Sequence, residues 1–239
     1  MSKVRELESG GGWFHQHRDV SGGWLRPIVF GAVDGLVTNA SLIAGVGGGG
    51  VGRQTLILTG LAGLVAGAFS MATGEYISVA SQNELMGAEA RVERDRLARF
   101  PEEESAELQR VFVAYGADPV VAEQVVEAIS RDPEVALRVH MREELGLDPS
   151  GLPSPLVAAV GSLVSCAVGG LIPLLPFLLG APSLGLALSI VAIALFAGGE
   201  AVGRITGRPL LRSGVRQLAL GALAVGVAFA VGRLFGAII

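Results

Sequence analysis

The chain has 239 residues, of which 51% are hydrophobic, and it contains 35 glycines. This composition is too apolar and too glycine-rich for an ordinary soluble domain, and it favours a membrane protein. The formal net charge is −4, and the single cysteine, Cys166, excludes a disulfide framework within one chain.

Residues 1–26 form a polar tail without the apolar core of a secretory signal, so we expect the N-terminus to stay cytoplasmic. The first predicted span covers about residues 28–49 and carries the carboxylate of Asp34. A charge at the centre of a span costs roughly 2.5–3.5 kcal/mol, so such residues usually face a bundle interior or an ion path. The alternative is that Asp34 caps the helix at the membrane interface. Gly31 and Gly35 favour the first interpretation, because they provide a small-residue face beside it.

The second predicted span begins near Thr55, after a short glycine-rich connection. No proline follows until after Arg99, and the side chains change from apolar to charged around Ser78. One continuous helix over these residues would be ~67 Å long, enough to cross the membrane and project beyond it. Residues 27–80 are therefore assigned to the first two spans. Four glycines in the second span are suited to close helix packing: Gly60, Gly63, Gly67 and Gly74.

Residues 81–148 contain 16 of the 22 acidic but only 8 of the 18 basic residues. Pro101, Asp118-Pro119 and Asp132-Pro133 each mark the start of a helix, because proline suits the first helical position and an aspartate before it caps the helix. The last of these helices is predicted to end at Gly146. The sequence therefore predicts an acidic three-helix domain outside the bilayer, inserted between the second and third spans.

Residues 149–239 return to the membrane in three further spans, predicted at about 156–179, 184–202 and 217–239. Pro173 and Pro176 are expected to interrupt the first of these. Glu200 and Arg204 have the spacing of an intrahelical ion pair. The arginines at 204–216 share one side of the membrane with the tail and the acidic domain, which the positive-inside rule makes cytoplasmic. The predicted fold class is an all-α membrane protein with five transmembrane helices.

Three sequence motifs resemble those of the vacuolar iron transporter family: DGLVTNASL at 34–42, followed by GVG at 45–47; AGLVAGAFSMATGE at 62–75; and GGLIPLLP at 169–176. The resemblance runs from about residue 26 to the end of the chain. It implies a homodimer that moves Fe2+, and other divalent metals such as Mn2+, Zn2+ or Co2+, out of the cytosol in exchange for protons. It also implies a path between the two subunits and a cytoplasmic domain that collects metal.

By this resemblance Asp34 and Met71 are the metal contacts within the membrane. A carboxylate supplies charge to a dehydrating dication, and a thioether favours softer transition metals over Mg2+ or Ca2+. Glu75 lies one turn after Met71 and is predicted to receive the ion or a proton. The alternatives are that Met71 fills a gap in a glycine-rich interface and that Glu75 reaches the membrane surface.

Glutamates recur at helical spacing in the acidic domain, where like charges repel unless a cation or an arginine lies near them. The alternative to metal binding is that these glutamates stabilise helix dipoles and are neutralised by Arg91, Arg94 and Arg96. The resemblance carries metal ligands onto Glu93, Glu104, Glu107, Met141 and Glu144. The full set of candidate metal residues is Asp34, Met71, Glu75, Glu89, Glu93, Glu103, Glu104, Glu107, Met141 and Glu144.

Two residues depart from the pattern expected of the family. Arg96 stands where another glutamate is expected, which should lower the number of bound ions. His140 precedes Met141 and is a candidate nitrogen ligand.

We expect a transporter and not an enzyme, because no Ser-His-Asp or Cys-His arrangement is supported and the glycines at 47–50 lack the Lys-Ser/Thr of a phosphate loop. The expected partners are divalent metal ions, protons, membrane lipid and a second copy of the chain, with no organic cofactor and no nucleic acid. Two alternatives stay open, a passive divalent-cation channel and a membrane-anchored metal buffer or sensor. A bacterial member in a prokaryotic inner membrane is the expected source and location.

Overall fold

A computed structural model describes residues 25–144, 146, 151–181, 183–236 and 238. Most of the predicted N-terminal tail and part of the linker at 149–155 lie outside the described residues. The described elements are all helical. In chain order they are α1 (Leu25–Gly48), α2 (Arg53–Arg99), α3 (Pro101–Ala114), α4 (Pro119–Ser130), α5 (Pro133–Glu143), α6 (Pro155–Leu171), a 3-10 turn (Ile172–Leu174), α7 (Leu175–Leu178), α8 (Leu184–Thr206) and α9 (Leu210–Gly236).

Five helical stretches are long and apolar enough to cross a membrane: α1, α2, Pro155–Leu178, α8 and α9. The predicted all-α fold with five spans is therefore confirmed at this level. As expected, α2 is one uninterrupted helix, and its 47 residues correspond to about 70 Å. The last helix begins at Leu210, directly after Pro209 and seven residues before the predicted span.

Helix α1 runs parallel to α6 and α9 and antiparallel to α2. Its residues 28, 31 and 35 approach residues 161, 165 and 166 of α6, so the contacts follow the same order along both helices. A Cβ at Gly35 would overlap the Cys166 carbonyl oxygen, and a Cβ at Gly232 of α9 would overlap the Gly45 carbonyl oxygen. Small residues thus allow these backbones to approach closely, as the glycine content predicts.

The contacts of α2 change along one face of the helix, the face on which its four glycines lie. Gly60 lies against Leu174, and Gly63 lies against Leu42 of α1, so these two glycines pack as predicted. A Cβ added at Gly67 or Gly74 would have no atom of another element within 4 Å, so the prediction of close packing does not hold for them within one chain. This face of α2 is therefore packed at Gly60 and Gly63 and open at Gly67 and Gly74.

The third span breaks where its prolines predicted, with α6 ending at Leu171 before the 3-10 turn. Two polar side chains bind carbonyl groups in this broken region. Asn39 Nδ2 donates to the Gly170 oxygen at 2.5 Å, and Arg53 donates to the Phe177 oxygen from Nε at 3.0 Å and from Nη2 at 2.7 Å. The predicted Glu200–Arg204 ion pair is not formed: within the described chain, no ion pair of 4 Å or less joins them.

Helices α3, α4 and α5 follow the end of α2 and start where the sequence predicts. The Asp118 side chain accepts from the Val120 N–H, and Asp132 accepts from the N–H groups of Glu134 and Val135. Each of these helices has proline in its first turn. Leu108, Val126 and other apolar side chains are buried between them, and α5 packs against the end of α2. This packing brings together the end of α2, the start of α3 and the end of α5.

Candidate metal centre

Four side chains converge where α2, α3 and α5 meet. Glu93 comes from α2, Glu104 from α3, His140 from α5, and Glu144 from the residue that caps α5. One potential ligand atom of each lies within 4.8 Å of all the others. We call these four residues the glutamate cluster.

Local sequence explains how the glutamate cluster is assembled. Phe100 ends α2 and Pro101 starts α3 at once, so the chain reverses within one residue and the first turn of α3 lies beside the last turns of α2. Glu104 occupies that first turn. His140 and Glu144 are four residues apart and therefore share a face at the end of α5. The site is thus built at a tight reversal and closed by a third helix.

The carboxylates of the cluster are buried to an unusual degree. Glu104 is 0% exposed, His140 1% and Glu93 7%, while Glu144 is partly buried. The Glu93 Oε1 and Glu104 Oε2 atoms are buried without a hydrogen-bond partner among the described residues. Both point toward the same ring nitrogen, at 3.5 Å and 3.9 Å from His140 Nδ1, which lies 2.8 Å from Glu144 Oε1. A buried polar atom without a partner is costly, so this arrangement is typical of a binding site.

The electrostatics of the cluster favour a bound cation. Burial raises the pKa of Glu93 above its ordinary value, and the negative charges of Glu104 and Glu144 raise it further, although His140 and Arg96 act against them. Burial likewise raises the pKa of Glu144, with the His140 interaction opposing it. Burial and neighbouring negative charge therefore disfavour the ionised forms of Glu93 and Glu144. A dication among them would relieve the repulsion and displace protons.

Arg96 holds the outer side of this cluster. Its Nε and Nη2 atoms both lie 2.6 Å from Glu104 Oε1, and Nη2 lies 3.7 Å from Glu107 Oε2. The guanidinium therefore donates to Oε1 of Glu104, while Oε2 faces the centre of the cluster. Arg96 is half-exposed, so it closes the cluster from the solvent side.

Sequence comparisons decide the family. The model of the VIT family matches residues 25–233. "Vacuolar iron transporter 1" of Arabidopsis thaliana is 32% identical over 213 residues, which cover 88% of this chain and 85% of the relative. "Vacuolar iron transporter homolog 2" of Oryza sativa subsp. japonica is 35% identical over 221 residues, covering 90% and 92%. The chain belongs to the VIT family.

Membership in the VIT family confirms the resemblance seen in the motifs. Together with the five apolar helices, it makes the chain an integral, multi-pass membrane protein of a family of metal-ion transporters, consistent with a protein that is not an enzyme. The relatives named above are plant proteins, so the expected bacterial source stays a prediction.

In this VIT-family chain the candidate ligands of the acidic helices divide into two groups. Glu93, Glu104 and Glu144 converge, and Met141 is fully buried immediately after His140. The others lie outside the cluster: Glu89 is half-buried one turn before Glu93, Glu103 is exposed, and Glu107 faces Arg96. The sequence predicts His140 only as an added ligand beside the glutamates. In the structure His140 is central, because its Nδ1 lies within 4 Å of all three converging carboxylates. Its spacing of four residues from Glu144 was the available signal.

The intramembrane candidates lie on α1 and α2. Gly60 beside Ile43 and Gly63 beside Leu42 fix the antiparallel register of these helices, and that register puts Asp34 and Met71 at about the same depth. Both side chains, like Glu75, are only partly buried. Thr38 Oγ1 donates to Asp34 Oδ1 at 3.3 Å. Within the described chain, Asp34 and Glu75 belong to no converging group of three acids, histidines or cysteines.

Proposed function

We propose that this protein exports Fe2+, and also Mn2+, from the cytosol by proton antiport. The observation that carries the proposal is the glutamate cluster, in which two buried carboxylate oxygens without partners face a histidine nitrogen. Three oxygen donors and one nitrogen donor suit divalent iron or manganese, and Co2+ or Zn2+ would bind as substitutes. The buried thioether of Met141, adjacent in sequence, is proposed as a softer ligand.

The cluster is proposed to collect metal on the cytoplasmic side. The contact register makes α1 parallel to α6 and α9 and antiparallel to α2, so the end of α2, the start of α6 and the α8–α9 connection lie at one end of the bundle. That end carries the arginines at 204–216, which supports a cytoplasmic assignment under the positive-inside rule.

From the cluster the ion is proposed to pass to Glu75, Met71 and Asp34. Met71 and Glu75 share one face of α2, the helix that also carries Glu93, so a single helix links the collecting site to the membrane interior. A carboxylate that gives up a proton when metal binds, and takes one up after release, supplies the coupling that antiport needs. We assign this exchange to Asp34 and Glu75.

The path is proposed to lie between two subunits. Gly67 and Gly74 face open space in one chain, and they lie on the same face of α2 as Met71. A second copy packed along this face of α2 would cover apolar surface and bring a second Asp34 toward the first. Membrane lipid would cover the remaining apolar surface.

The test uses purified full-length protein in proteoliposomes with a pH gradient and an Fe2+-sensitive dye inside. Antiport predicts that Fe2+ accumulates against its concentration gradient and that collapsing the pH gradient stops it. A passive channel predicts flux along the metal gradient without proton movement. A membrane-anchored buffer or sensor, which the glutamate cluster alone would also suit, predicts metal binding without flux. Either of the last two results would overturn the proposal.

A further inference from the structure

A second charged site lies at the connection between α8 and α9, away from the glutamate cluster. Gly207, at φ +67°, ends α8, and the Arg208 N–H donates to the Gly203 oxygen at 2.9 Å, so the chain turns within three residues. Gly203 also lies against Ser213, which holds the first turn of α9 close to α8. This turn borders a cavity of about 500 Å³ that is lined by Arg208, Pro209, Arg212, Ser213 and Arg216.

The charge around this cavity is uncompensated. Arg208, Arg212 and Arg216 are exposed, and in the part of the chain that the structure describes no carboxylate lies within 4 Å of them. Arg212 and Arg216 are one turn apart on the same face, where like charges repel. They also lie at the end of α9 where the helix dipole is positive, which disfavours cations. An anion in the cavity would remove both unfavourable effects.

The cavity lies at the membrane boundary. The 27 residues of α9 span about 40 Å, longer than the ~30 Å hydrocarbon core, so the first turns of α9 reach the headgroup region. Leu211 and Val215, next in sequence to Arg212 and Arg216, are 68% and 51% exposed. The start of α9 therefore presents leucine and valine to the acyl chains beside arginines at headgroup level.

We infer that this cavity binds the phosphate group of an anionic lipid headgroup. The guanidinium fork matches phosphate oxygens in a bidentate geometry. The positive-inside rule requires arginines on this side of the membrane, but it does not require three unpaired ones around one cavity. The inference is independent of the proposed metal path, because it uses none of the residues of the glutamate cluster or the intramembrane site.

The test is native mass spectrometry of the detergent-solubilised full-length protein titrated with phosphatidylglycerol or phosphatidylcholine. The wild type should retain phosphatidylglycerol preferentially. The Arg208→Gln/Arg212→Gln/Arg216→Gln variant should lose affinity by about fivefold for each arginine removed. Arg233→Gln, in the last turn of the same helix, is the matched control and should bind as the wild type does.

Equal phosphatidylglycerol retention in the triple variant and in Arg233→Gln would overturn the inference. Inorganic phosphate and glycerol 3-phosphate are added as competitors, because a soluble phosphate is the other source of this chemistry. Complete displacement of the lipid by inorganic phosphate at equal concentration would also overturn the lipid assignment. If the triple variant does not fold, the single variants Arg212→Gln and Arg216→Gln replace it, and wild-type retention in both would count against the site.

Discussion

The glutamate cluster and the intramembrane acids differ in how complete they are within one chain. In the cluster, three carboxylates and a histidine from separate helices converge and are largely buried. Asp34 and Glu75, by contrast, are partly exposed, and Asp34 accepts a hydrogen bond from the hydroxyl of Thr38 on its own helix. The proposed collecting role of the glutamate cluster can therefore be argued from one chain. The membrane site becomes a site only if something else, which we propose is a second copy, covers it.

This difference has a physical origin. In the acidic helices Arg96 pairs with Glu104, and burial raises the pKa of Glu93 and Glu144, so one chain can gather several carboxylates in one place. Within the hydrocarbon each ionised group is costly, so one subunit can hold only a few. In the dimer that we propose, a twofold axis would double the number of acids at one point while each chain supplies one.

The sharpest test of the comparison removes the intramembrane charge. Asp34→Asn keeps the shape of the side chain and its contact with Thr38 but cannot neutralise a dication. We expect Fe2+ flux in proteoliposomes to fall by about 100-fold or more, the factor that corresponds to an intramembrane charge interaction of roughly 3 kcal/mol. Thr38→Val is the matched control and should retain most of the flux. Undiminished flux in Asp34→Asn would refute the role of Asp34.

A second substitution tests whether the convergence of the carboxylates, and not their number, creates the proposed collecting site. Glu104→Gln removes a buried carboxylate that faces His140, whereas Glu103→Gln removes the exposed carboxylate next to it. We expect Co2+ affinity in an anaerobic calorimetric titration of the full-length protein to fall by about 10- to 100-fold in the first variant. The second variant should change it little. Equal losses would mean that the acidic helices attract metal only through their net charge.

Substitutions at two glycines test whether α1 is closely packed within one chain while part of α2 is open. Gly35→Ala would drive a methyl group into the Cys166 backbone, so we expect a loss of about 1–3 kcal/mol in stability, seen as a lower melting temperature in detergent. Gly67→Ala meets nothing within one chain and should be nearly neutral there. A large loss of stability in Gly67→Ala that depends on protein concentration would instead indicate that the open face of α2 is covered in the assembly.

The sequence predicted those parts of the fold that depend on local chemistry. Hydrophobic length indicated the five spans, and the Asp-Pro pairs indicated the starts of α4 and α5, because capping and span length involve only neighbouring residues. The start of α9 was placed too late, since the charge of Arg212 and Arg216 suggested a loop although the backbone there is helical.

The candidate site was harder to predict, because its geometry depends on residues far apart in the chain. Glu93 and His140 are separated by 47 positions, and only the packing of α5 against α2 brings them together. The sequence predicts that Arg96 neutralises glutamates but not that its partner is Glu104, because eight residues and a tight reversal separate the two. Sequence spacing predicts Glu103 and Glu104 equally well as ligands. Only the fold shows that Glu103 is exposed and Glu104 is buried.

The smallest expected effect is the dependence of stability on pH. Since Glu93 and Glu144 have pKa values raised above 4.5, the folded state holds their protons more tightly than the unfolded state. Without metal, this contribution stabilises the acidic helices at low pH and is lost as the pH rises from about 4.5 through the raised values.

Bound metal reverses this dependence, because it needs the ionised carboxylates. We therefore expect hydrogen exchange in α5 to accelerate with rising pH in chelator, after correction for intrinsic exchange, and to slow when Co2+ is added. Glu144→Gln should flatten the chelator profile, and exposed Glu103→Gln should not. If the pH dependence of exchange is unchanged in Glu144→Gln, the cluster does not hold protons more tightly in the folded state. The contrast between the glutamate cluster and the intramembrane acids would then depend on geometry alone.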